Sequence, residues 1–157
     1  MRSVYRVLAF LIAALVAVQA AAVALGVFGL MRWIDGGGTL DKAAFESDEP
    51  LFGEAIGFMI HGLNGMMLIP LVALLLVIVS FFAKVPGGAK WAGFVFLAVI
   101  VQVALGIFAW EVAGLGALHG LNALVLFGLA VTAGSRVKDH AVAGQEPHSA
   151  ERTSVGR

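Results

Sequence analysis

The tetrapeptide His-Gly-Leu-Asn occurs twice in this chain, at His61-Gly62-Leu63-Asn64 and at His119-Gly120-Leu121-Asn122. A neutral imidazole carries one N–H and one nitrogen lone pair, so it can ligate a metal or hydrogen-bond its neighbours. Asn64 and Asn122 each follow a histidine by three residues, on nearly the same helical face. Their carboxamides have two uses: orienting an imidazole through its free nitrogen, or tying helices together. The sequence has 0 Cys and 4 His, which excludes disulfides, iron–sulfur clusters and thiolate metal sites. His140 and His148 fall in a polar C-terminal stretch and read as solvated.

The neighbours of the repeated histidines are small. Gly57 and Gly65 lie four residues either side of His61, and Gly116 and Ala123 take the matching places around His119. Missing side chains above and below an imidazole leave room for something broad and flat. A porphyrin held by two axial histidines has that shape, and bundle cores often house such groups. His61 and His119 are therefore candidate axial ligands of haem b, with Gly57, Gly65, Gly116, Asn64 and Asn122 around it. Met59, Met66, Met67, Phe58 and Phe127 offer apolar packing. The same glycines also fit the small-xxx-small pattern by which lipid-embedded helices approach closely.

The elements that must position these groups follow from composition. Of 157 residues, 61% are hydrophobic and 13% charged, and the mean hydropathy is +0.98. A soluble domain is about 45–50% apolar and about 25% charged. Four runs reach the roughly 20 apolar residues that cross a bilayer, at about 4–31, 55–83, 91–110 and 115–133. They have no polar face, and lipid admits only helices or closed barrels, so we expect an all-α, integral membrane four-helix bundle over residues 1–135. Residues 136–157 read as a polar, mobile tail. The first run extends well past Ala20-Ala21-Ala22, so it reads as a retained anchor and not as a cleaved signal peptide.

Basic residues set the orientation. With alternating helices, Arg2, Arg6, Lys84, Lys90, Arg136, Lys138, Arg152 and Arg157 share one side, against Arg32 and Lys42 on the other. Both termini are then cytoplasmic, in a bacterial plasma membrane protein of several passes. Asp35, Asp41, Glu46, Asp48, Glu49, Glu54 and Glu111 lie outside. Glu54 reads as a solvated loop acid, and Pro70 should kink the second span beyond His61. A net charge of zero gives no reason to expect nucleic acid as a partner.

The repeated tetrapeptide opens the second and fourth spans. A weaker echo joins the odd spans: Val18-Gln19 with Leu25-Gly26-Val27-Phe28, against Val101-Gln102 with Leu105-Gly106-Ile107-Phe108. The chain reads as two similar helical hairpins in parallel repeat. His61 follows Glu54 by seven residues and His119 follows Glu111 by eight, which puts both about 10–12 Å below the outer ends. Gln19 and Gln102 lie deeper and read as interhelical ties.

At these residues the chain resembles the haem A synthase family. Gln102-x-x-Leu105-Gly106 followed by His119-x-x-x-Ala123 is similar to that family's Gln-x-x-Leu-Gly … His-x-x-x-Ala pattern. The family has two four-helix halves, each with a histidine pair on its second and fourth helices. This chain resembles one half, from about Arg6 to Ser135. The resemblance implies a ligand role for His61 and His119. It does not imply haem A synthesis: there is no second half, Phe58 stands where the family has an acid, and the loop cysteines are missing. The chain also resembles small uncharacterised four-helix integral membrane proteins of actinobacteria, a domain of unknown function, whose Ala, Val and Gly richness it shares.

Two functions follow. One is a bis-histidine, cytochrome b-like protein that transfers electrons or handles haem near the outer face, with a quinone or a membrane redox complex as partner. The other is an accessory or scaffold subunit of a membrane complex, without cofactor, whose histidines only bridge helices. Neither makes the chain an enzyme by itself. A transporter is a weaker third reading, since the spans carry no charged path.

Overall fold

The computed structural model describes residues 1–47 and 49–137. His140, His148 and the tail beyond Val137 lie outside them, as does Asp48. The chain forms α1 (Arg2–Asp35), α2 (Lys42–Phe45), a 3-10 turn (Gly53–Ala55), α3 (Ile56–Leu63), a π-helical turn (Asn64–Leu68), α4 (Ile69–Ser80), α5 (Gly88–Phe108) and α6 (Ala113–Ser135). Gly53–Ser80 runs on as one rod through its 3-10, α and π segments. Four helices are thus long and apolar enough to cross a membrane, with mean hydropathies of 2.6, 2.5, 2.3 and 1.7 in chain order.

The ends differ from expectation by a few residues, for local reasons. α1 continues past Met31 to Asp35, where Gly37 at φ +97° ends the ladder in a conformation that favours glycine. Asp41 caps the short α2, its Oδ1 accepting from the Ala44 N–H at 2.8 Å. The turn before α5 uses Lys84 and Gly87 at positive φ. In the second span the disturbance precedes Pro70. Proline has no N–H to give the carbonyl four residues back. The chain widens there into the π turn, and the Ile69 N–H bonds the Asn64 carbonyl five residues earlier.

The spans pack in a ring. α1 lies against α3 and α4 on one side and α6 on the other, and α5 lies against α4 and α6. The second and fourth spans are therefore diagonal, as are the first and third. The packed core fills one half of the bundle, the end that holds the N-terminus and the 84–90 turn. Tyr5, Ile12, Leu76, Val95, Val99 and Leu126 are its largest fully buried side chains. The Tyr5 hydroxyl donates to the Gly88 carbonyl at 3.0 Å, Arg2 donates to the Lys84 carbonyl, and the Arg136 guanidinium lies 4.9 Å over Trp91.

In the opposite half, few large side chains are buried, and glycine sets the contacts between α1 and the second span. A Cβ on Gly57 would collide with the Ala22 carbonyl and come within 2.8 Å of the Gly26 nitrogen. Arg32 closes the same end with a 2.6 Å ion pair to Glu54, so Glu54 is a paired acid. Because backbone cannot step aside as a side chain does, Gly57→Ala should cost about 1–3 kcal/mol of stability. Thermal unfolding in detergent checks this, with Gly53→Ala, which meets open space, as the control.

Candidate functional site

The poorly filled half of the bundle contains a cavity of about 820 Å³. All four spans line it, with Val16, Gln19 and Val23 from α1 and Val99, Gln102 and Gly106 from α5. The second span adds His61, Gly62, Gly65 and Met66, and α6 adds His119, Gly120, Ala123 and Leu124. Cofactor and ligand sites usually fall at roughly 300–1,000 Å³ with mostly apolar walls.

His61 and His119 face each other across this space. Their ring centroids are 6.0 Å apart, with the planes tilted by 56°. Each ring is anchored through Nδ1 to a backbone carbonyl of the neighbouring odd span. His61 Nδ1 lies 3.3 Å from the Gln19 carbonyl oxygen, and His119 Nδ1 lies 3.0 Å from that of Gln102. A carbonyl accepts only, so Nδ1 carries the proton and Nε2 keeps its lone pair. Histidines that ligate metals are commonly held this way.

The asparagines tie helices. Asn64 donates to the Leu15 carbonyl at 3.1 Å, and Asn122 donates to the Ala98 carbonyl at 2.9 Å. Leu15 precedes Gln19 by four residues, and Ala98 precedes Gln102 by four. Each even span thus sets its His and Asn on the carbonyls of equivalent residues in an odd span. The correspondence ends at the glutamines. Asn122 also donates to Gln102 Oε1 at 2.7 Å, whereas Gln19 turns its amide to donate to the His61 carbonyl at 3.0 Å. Gln19 Oε1 and Asn64 Oδ1 are left buried without a partner. Asn122→Leu, which breaks two bonds, should therefore cost about 1–2 kcal/mol. Asn64→Leu should cost less, since it also removes an orphaned acceptor; chemical unfolding of the two variants in micelles checks the order.

The glycines serve three different purposes. Gly65 borders the cavity, but the Gln19 amide occupies the space above it, 2.5 Å from where a Cβ would sit. Gly57 admits the α1 backbone, and Gly116, with only Ala109 near, does not line the cavity. Met66 and Phe127 line the cavity; Phe58 instead covers Gly26 and meets Phe52 edge-on at 6.5 Å. Gly106 has a role that sequence reasoning missed. A Cβ there would come within 3.1 Å of His119 Cε1 and 3.2 Å of its Nδ1, so the missing side chain seats the imidazole. Gly106 stands in the motif quoted above, where its meaning is not readable without the partner helix.

Among the described residues, no group of three or more His, Cys, Asp or Glu is placed to hold a metal ion. Of the His, Cys, Asp and Glu side chains among the described residues, the cavity is lined by the two imidazoles alone, which suits a group that brings its own equatorial ligands. A metal–nitrogen bond is about 2 Å, so two rings sharing one metal on opposite sides have centres about 6 Å apart. The rings can take any tilt by turning about that axis. Compared with family models, curated proteins and solved structures, the chain matches none.

Proposed function

We propose that this chain is a bis-histidine, haem b-binding integral membrane protein, with His61 and His119 as the axial ligands. The observation that carries the reading is the pair of facing imidazoles, 6.0 Å apart across an apolar cavity and each tied through Nδ1. When bound, haem supplies one-electron chemistry, and two protein ligands favour electron transfer over oxygen activation. The residues of the chain would hold the group in an apolar setting. Gly62, Gly120 and Ala123 keep the walls near the imidazoles low, and Val16, Val99, Met66, Leu124 and Phe127 make them apolar.

The chain is read as two similar helical hairpins, supported by the matching His and Asn bonds to Gln19, Leu15, Gln102 and Ala98. Cytoplasmic termini are supported by Arg2, Arg6, Lys84, Lys90 and Arg136 at one end of the bundle, while Arg32 and Lys42 at the other are paired with Glu54 and Glu46. That orientation, in a bacterial plasma membrane, puts the haem toward the outer face. There it would exchange electrons with a quinone or a membrane redox complex, or pass haem on. Haem A synthesis is not part of the proposal.

A second reading has one observation in its favour: the Nδ1 bonds already make each histidine an interhelical tie. A scaffold subunit needs nothing more. Titration of haem b into the purified protein in mild detergent separates the two. The first reading predicts a sharp Soret band that saturates at one haem per chain. A broad band that does not saturate, as haem gives in empty micelles, would favour the scaffold.

A further inference from the structure

We infer that the two histidines are unequal, with His119 the permanent ligand and His61 the exchangeable one. This rests on the haem reading above.

His119 stands on an unbroken α6 of 23 residues. Gly106 seats its ring, the Nδ1 bond is 3.0 Å, and Asn122 one turn on makes two hydrogen bonds. His61 stands near the end of α3, which has 8 residues and passes directly into the π turn. Its Nδ1 contact is longer, at 3.3 Å. Beside it sit two orphaned acceptors, Gln19 Oε1 and Asn64 Oδ1, each with less than 1 Å² of accessible surface. Water cannot reach them in this arrangement. A buried polar group without a partner costs about 1–3 kcal/mol. Both orphans lie beside His61, one on α1 and one on the π turn, and movement of the segment that carries His61 would open both to new partners. π turns are frequent at functional sites. Movement of Ile56–Leu68 would draw the His61 ring away from the cavity and leave His119 in place. The haem could then accept an external ligand or be handed on, which a fixed bis-histidine site does not allow.

The test compares His61→Ala and His119→Ala, each loaded with haem b, with circular dichroism to show that both remain helical. His61→Ala should keep haem in a five-coordinate state and return to a low-spin spectrum with added imidazole. His119→Ala should bind haem about ten-fold more weakly than His61→Ala. Reduced wild-type protein should bind carbon monoxide slowly and incompletely. In the apo-protein, hydrogen exchange should be faster over 56–68 than over 113–126. Equal haem loss in the two variants, or equal exchange in the two segments, overturns the inference while leaving the haem reading standing. A wild-type protein that takes up no haem overturns both.

Discussion

His119→Ala is expected to abolish the low-spin haem spectrum and to weaken haem b binding by on the order of 100-fold or more, the change expected when a directly bound ligand is lost and not merely its support. The variant removes one of the two imidazoles that line the cavity, and no third His, Cys, Asp or Glu among the described residues is grouped with them to replace it. The rest of the bundle should tolerate the change, because His119 is part-buried and outside the packed core. Absorption spectroscopy after haem titration measures the loss. Retention of a full-strength low-spin spectrum would mean that the facing imidazoles are not the ligands.

Gly106→Val should reach a similar end without touching a ligand. Its Cβ would stand 3.1 Å from the His119 ring, and valine adds two methyl groups beyond it. The imidazole must then leave its place, losing its bond to the Gln102 carbonyl and its direction across the cavity. Haem affinity should fall about 10–100-fold, the range seen when the support of a metal ligand is removed. Helicity by circular dichroism should be unchanged. Gly93→Val, on the same helix but with open space around it, should leave haem binding as it is. If both valine variants bind haem normally, the His119 ring does not need the seat.

How far the sequence carries toward this site differs by residue. The four spans are legible because lipid forces the backbone to satisfy itself within each apolar run, so length and hydropathy suffice. Their ends are less legible: α1 reaches Asp35 because Gly37, and not the polarity of Arg32, ends it. The histidine pair is legible because the same tetrapeptide recurs at the same depth in two spans. The purpose of each glycine is not. Gly57, Gly65 and Gly106 make room respectively for a backbone, an amide and an imidazole, each from another helix. The odd-span echo misleads for a related reason. Gln19 and Gln102 do correspond, but the Leu-Gly pairs that follow them stand at different distances, so Gly106 meets His119 while Gly26 meets Phe58. The carbonyls that hold the imidazoles belong to the backbone and leave no mark in the sequence at all.

The claim that His61 and His119 hold haem is tested most directly by a reduced-minus-oxidised visible spectrum of the intact protein, made with ample haem supply and purified in mild detergent. Sharp alpha and Soret bands of low-spin haem b are expected, at about one haem per chain. A flat spectrum would contradict the account and leave the histidines as ties between helices.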